Sequence, residues 1–108
     1  MNCPVEAGKV FSLSNLLPYK EGQINQQLLV NNESVRLALM SFDEGCALSE
    51  HTAPGQAFVF ALEGKGVIGY EGTEYPIQAG ENFQFAKGAK HWVKADGKFK
   101  MALLLIFE

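Results

Sequence analysis

The sequence predicts an all-β protein, a sandwich or barrel built as a single domain, and three observations carry that prediction. Short runs rich in Val, Leu, Ile and Phe recur at regular spacing between turns made of Gly, Pro and Asn, the pattern of strands in a sandwich or barrel. No stretch of ten or more residues shows the apolar period and end caps of an amphipathic helix. The chain has 108 residues of which 47% are hydrophobic, enough for one modest core without disulfide staples.

The elements follow in chain order. KVFSL at 9–13 reads as a first strand, and LLPYKEGQ at 16–23 as a loop, since Pro18 and Gly22 break a ladder. INQQLLV at 24–30 reads as a strand, ended by Asn31-Asn32, which tolerates the left-handed backbone of a tight turn. SVRLALMSF at 34–42 is a long strand that stops at the Asp-Glu-Gly turn of 43–45. After Pro54-Gly55, three strands read as a meander: AFVFALE at 57–63, GVIGYE at 66–71 and TEYPIQ at 73–78. NFQFA at 82–86, HWVKA at 91–95 and FKMALLLIF at 99–107 complete a set of about nine or ten strands. Residues 1–33 are expected to supply N-terminal strands that contribute to dimer contacts, and residues 34–108 the barrel core.

Alternation sharpens this picture. Phe58 and Phe60 share one face of their strand, as do Phe83 and Phe85 of theirs. Such pairs either fill the core between two sheets or line a cavity with aromatic surface, and packing is the commoner use. ALLLIF at 102–107 is apolar on both faces and has to be covered on both. A barrel wall capped by a second subunit would do this, so a homodimer is expected.

Twelve acidic and nine basic residues give a net charge of −3 with no long run of either sign. That balance argues against a nucleic-acid footprint and against a basic membrane-surface face. Cys3 and Cys46 form no close-spaced pair and no metal-type motif, which points to a reducing, cytoplasmic setting. The opening MNCPVEAG lacks the basic and apolar regions of a secretory signal. The longest apolar run, MALLLIF at 101–107, is too short to span a bilayer.

Two segments place glycines at fixed distances around a histidine. The first runs Gly45-x5-His51 and, after twelve further residues, Gly64; the second runs Gly80-x7-Gly88-x2-His91. These segments resemble the two motifs of the cupin superfamily, G-x5-H-x-H-x3/4-E-x6-G and G-x5-P-x-G-x2-H-x3-N. Gly45, His51, Glu63-Gly64, Gly80, Gly88 and His91 fall in register, PGQAFVFALEG is close to the family's wording, and the resemblance covers roughly residues 34–107. It implies a double-stranded β-helix, or jelly-roll, barrel. It also implies a divalent metal such as zinc, iron, nickel or manganese, held in the lumen by three histidines and a glutamate.

This chain departs from that ligand set. Ala53 stands at the second histidine, Ala57 at the glutamate, and Ala86 and Ala95 at the second motif's proline and asparagine. Of the implied ligands only His51 and His91 remain. Positions 51 and 53 alternate onto one face, so H-x-H suits two donors on one metal, and Ala53 leaves one. Loss of the carboxylate leaves a dication without charge compensation in a low-dielectric lumen. Gln56, beside the vacated glutamate position, ranks first as a substitute third donor through its amide oxygen. Met40 offers a thioether, which suits softer ions. Glu50 should face away from His51, while Glu33 and Asp43 lie at turns and read as solvated.

Neutral imidazoles can equally hydrogen-bond an organic ligand, and two alanines in place of His and Glu enlarge and dry the cavity floor. Phe60, Gln56, Met40 and Phe85 are then the expected ligand-binding residues. The ordinary alternative for each histidine is a half-buried side chain satisfied by a neighbour. Trp92 should project opposite His91 into core or interface packing. Arg36, the only arginine, is exposed by default, but facing the lumen it would favour an anionic ligand. Tyr70 and Tyr75 flank the Glu71-Gly72 turn as cross-strand partners. Strand parity puts Cys46 and His51 on opposite faces, so a Cys–His nucleophile is not expected.

Three functions compete. One is a small-molecule-binding barrel with an incomplete, two-histidine metal site. Another is a divalent-metal-dependent oxygenase, isomerase or decarboxylase using His51, His91 and a third ligand such as Gln56. The last is a structural dimer whose phenylalanines fill the barrel. The fold hosts many chemistries, so the architecture does not choose among them.

Overall fold

The computed structural model describes residues 5–107. Among them are seven strands and one short 3-10 turn, Leu13–Asn15. The strands are β1 (Ile24–Asn31), β2 (Val35–Phe42), β3 (Ala47–His51), β4 (Gly55–Tyr70), β5 (Thr73–Gln78), β6 (Asn82–Phe85) and β7 (His91–Phe107). All named pairings are antiparallel. The all-β jelly-roll barrel is thus the observed architecture.

Two long strands organise it. β7 pairs with β4 from Gly55↔Phe107 to Tyr70↔His91, with register shifts around Ala61–Lys65. The outer half of this ladder, β4 residues 55–64 on β7 residues 99–107, joins β1, β2 and β6 into one sheet. The remaining half joins β3 and β5 into a second. Both long strands therefore belong to both walls of the barrel. The sequence suggests a break at Glu63-Gly64, but Gly64 bends the strand without ending it. Its φ is 74°, and a Cβ there would lie 2.0 Å from the Lys98 carbonyl oxygen, so only glycine lets the two backbones approach. Two such mergers, into β4 and β7, together with the loss of a strand at 9–13 and the gain of β3, turn the nine or so expected strands into seven.

The interior follows strand parity. Ala38, Met40 and Phe42 of β2, Ala57, Val59 and Ala61 of β4, and Phe99, Met101 and Leu105 of β7 form the inner cluster with Ile68, Phe85 and Val93. A smaller cluster lies on the outer face of the first sheet: Leu17, Leu29, Leu39 and Ala102, with Leu13, Leu37, Phe60 and Leu62 packed against it. The N-terminal segment is held there by hydrogen bonds. Ser41 Oγ donates to the Leu17 carbonyl at 2.8 Å, Asn25 Nδ2 to that of Pro18 at 2.9 Å, and Lys100 Nζ to that of Ser14 at 2.6 Å. The Tyr19 hydroxyl donates to Glu63.

These contacts correct one expectation and bear on a second. KVFSL is not a strand: Val10 and Phe11 are exposed, and Leu13 and Leu17 lie across the sheet rather than pairing with its edge. The outer face of ALLLIF is covered at Ala102 by this same chain, while Leu104 and Ile106 are half-buried. Cys3 lies outside the described residues. No helix among those residues is long and apolar enough to cross a membrane.

Candidate functional site

A cavity of about 280 Å³ opens into the barrel beside His51 and His91, the chain's two histidines. Ala38, Met40, Ala53, Ala57, Leu103 and Leu105 form much of its wall, with Gln26, Arg36, Leu48, Thr52 and Pro54 completing it. The register explains the wall. Ala38 lies opposite Leu103 and Arg36 opposite Leu105 across β2 and β7, while Ala57 lies opposite Leu105 across β4 and β7. Residues directly opposite in an antiparallel pair share a face, so these side chains meet in the lumen. Both alanines at the altered ligand positions of the first motif, Ala53 and Ala57, line the space that larger ligating side chains would occupy.

The two histidines are neighbours across β3 and β7. Their Nε2 atoms stand 3.1 Å apart and their rings 4.3 Å centroid to centroid. His91 is 3% exposed, whereas His51, at the end of β3, is largely exposed. Phe85 stacks on His91 at 4.0 Å with planes 14° apart. Each Nδ1 faces a backbone carbonyl: His91 that of Ala89 at 3.1 Å, His51 that of Ser49 at 2.7 Å. A carbonyl oxygen only accepts, so each Nδ1 is placed as a donor, and Nε2 is the ring atom left to face the other histidine and the cavity. At 3.1 Å the two Nε2 atoms are within hydrogen-bond distance, so a proton on one of them, or a cation between them, satisfies both. Burial is the main cause that holds the His91 pKa below its ordinary value; the Ala89 carbonyl opposes this and His51 adds to it.

The pair presents two adjacent donors with backbone-anchored rings, a common arrangement around metals. A third donor is lacking: among the described residues, no group of three or more His, Cys, Asp or Glu could hold a metal ion. No carboxylate lines the cavity to offset a dication, and the cationic Arg36 does line it. The residues present therefore do not fit the family's resident metal.

Met40 is in the cavity wall, as the sequence suggests. Gln56 is not: it neighbours Ala57 on β4 and so points to the other side, where its Oε1 accepts from Gln84 Nε2 at 2.8 Å. Phe60 packs into the outer cluster, because its parity is opposite to that of Ala57. Phe85 lies behind His91 and supports the ring without lining the cavity. Arg36 faces the lumen from the cavity's exposed rim.

The neighbouring expectations fare unevenly. Cys46 packs against the inner cluster, on the side to which His51 also turns, because a register shift between Leu48 and His51 cancels the parity rule. Tyr70 and Tyr75 are diagonal rather than opposite, since Tyr75 faces Ile68, and both pack on Phe83. Trp92 lies over Gly69, where a Cβ would fall 1.9 Å from its ring. Leu48, Leu103, Leu105 and Gln26 are cavity residues that the sequence did not single out. Their signal is strand register, which a local pattern does not contain.

The comparisons agree with this geometry. A family model described as "Cupin domain" matches residues 38–107. The chain is similar to the structure of a cupin superfamily protein from Desulfitobacterium hafniense, with 23% identity, a TM-score of 0.91, and coverage of 100% of this chain and 97% of that one. It is similar to a conserved protein of unknown function from Streptococcus pyogenes, with 25% identity, TM-score 0.92, and coverage of 96% and 91%. A Cupin 2 conserved barrel domain protein from Leptotrichia buccalis is 34% identical with TM-score 0.86, over 89% of this chain and 47% of that one. No curated protein matches the sequence. With its barrel, its two motif histidines in register and a family match over most of its length, the chain belongs to the cupin family.

Proposed function

We propose that this protein binds a small organic molecule in its barrel lumen, with His51 and His91 receiving a hydrogen-bond donor from the ligand. The observation that carries this reading is the cavity of about 280 Å³, apolar where Ala53 and Ala57 stand and ending on two converging Nε2 atoms. An N–H or O–H from the ligand donates to the Nε2 atom of the pair that carries no proton, and the apolar wall rewards burial of a hydrocarbon body. Ligand-observed NMR with a library of small organic fragments tests this. Fragments should bind the wild type and lose binding in Ala57→Phe, which fills the cavity. A library that binds neither protein, or both equally, refutes the reading and favours a purely structural barrel.

A second reading, a divalent-metal-dependent enzyme of the oxygenase, isomerase or decarboxylase type, has one observation in its favour. Both Nδ1 atoms are anchored on carbonyls and both Nε2 atoms converge. It requires that substrate or water supply the missing donors, since Gln56 faces away. Metal content by mass spectrometry, on protein purified without added metal or chelator, separates the two readings. Near-stoichiometric metal that is lost in the His51→Ala, His91→Ala double variant favours the enzyme; absence of metal leaves the organic ligand alone.

The cytoplasmic setting remains our reading from cysteine usage, and the homodimer is likewise part of the proposal. Val10 at 103% exposure and Phe11 at 51% are apolar residues that a second copy would cover. Sedimentation of the wild type against a Val10→Ser, Phe11→Ser variant tests it.

A further inference from the structure

Arg36 is the chain's only arginine, and it stands on the lumen side of β2 with Ala38 and Met40, at the rim of the cavity. An arginine usually faces solvent or meets a carboxylate. This one meets no carboxylate among the described residues, and no Asp or Glu lines the cavity. Its guanidinium lies 5.4 Å from the centroid of the Phe107 ring, and its Nε donates to Asn31 Oδ1 at 3.3 Å. Those two contacts fix the plane of the group while leaving both terminal nitrogens to other acceptors. A planar donor pair held in this way matches the two oxygens of a carboxylate.

The same cavity thus presents a charged donor fork at its rim and the paired imidazole Nε2 atoms of His51 and His91, with apolar wall between them. A volume of about 280 Å³ is about nine water volumes, room for a ligand of roughly ten non-hydrogen atoms. We infer that the ligand class is a small hydroxycarboxylate. Its carboxylate pairs with Arg36, its short hydrocarbon body lies against Leu103, Leu105 and Met40, and its hydroxyl hydrogen-bonds the Nε2 pair of His51 and His91, donating to the nitrogen that carries no proton. This inference rests on the lumen-binding reading above and adds the chemical class of the ligand. It requires no metal and no covalent step.

Acid and amide pairs of matched shape test it. The probes are 4-hydroxybenzoate against 4-hydroxybenzamide and 6-hydroxyhexanoate against its amide, measured by calorimetry at low ionic strength. For at least one pair, the wild type should bind the acid at least tenfold more tightly than the amide. Arg36→Gln should abolish that preference while keeping the weaker amide affinity, and Arg36→Lys should restore part of it. Equal affinity for acid and amide, or a preference that survives Arg36→Gln, overturns the inference while leaving lumen binding intact. If none of the four probes binds but neutral fragments from the library do, the hydroxycarboxylate class is wrong. If nothing binds at all, the lumen-binding reading falls with it.

Discussion

The two ends of the barrel interior are built from the same strands and differ in the size of what those strands carry. On β2 the inward side chains run Ala38, Met40, Phe42 towards one end, where Phe42 packs on Phe99 at 5.8 Å and both are fully buried. Ala61 and Met101, opposite each other across β4 and β7, are buried next to that pair. Towards the histidines, the inward residues include Ala38, Ala53 and Ala57, and the lumen stays open. Side-chain volume, with no change of backbone plan, decides which end is core and which is cavity. The outer face of the first sheet follows the same rule, filled by Leu17, Phe60 and Leu62 over Leu39 and Ala102.

This contrast predicts opposite responses to opposite substitutions. Phe99→Ala at the filled end removes a buried ring and should destabilise the protein by about 3–5 kcal/mol, read as a lower midpoint in urea unfolding. Adding bulk separates the ends more sharply. Ala61→Leu has no space to enter and should cost about 1–3 kcal/mol, whereas Ala57→Leu, facing the cavity, should change stability by less than about 1 kcal/mol while reducing ligand binding. Equal costs for the two leucine variants would mean that the open end is closed in solution.

The smallest effect concerns His91. Its folded pKa is depressed by burial, so the unfolded chain binds the proton more readily than the native state does. Stability is then complete above the unfolded value near 6.5 and declines as pH falls through that value towards the folded one. Urea unfolding at a series of pH values from about 7.5 to 5 should show this decline. His91→Gln should flatten it. A stability that rises on acidification would contradict the assignment.

Much of the fold was legible because its signals are local. The turns after Asn31, at Asp43–Gly45 and at Glu71-Gly72 bound the strands, and β4 alternates buried and half-buried residues from Gly55 to Leu62, whereas β2 is buried on both faces from Ala38 to Phe42. At the site, the motif register located His51, His91, Ala53 and Ala57, all of which line the cavity. Parity also held the answer for Phe60 and Gln56: if Ala57 faces inward, its neighbour Gln56 and the residue three positions on face out. What stayed hidden was non-local. Leu103 and Leu105 enter the wall only through the β2–β7 and β4–β7 registers, and the irregularity between Leu48 and His51 that turns His51 inward leaves no mark in composition. The N-terminal segment misled for a related reason, since its apolar residues pack on a sheet face that forms only after distant strands have paired.

The position of β7 also sets the timing of folding. It is the last strand in chain order, yet it lies between β2 and β4 in one wall and between β3 and β4 in the other. Until it is synthesised, β2 and β4 have unpaired edges, and the apolar residues that should face it have no cover. Gly55 must then meet Phe107 across half the chain, a loop closure typical of slow-folding β proteins. A ribosome-bound intermediate that has reached only β6 is therefore an open, adhesive half-barrel, the species most exposed to aggregation and to capture by chaperones.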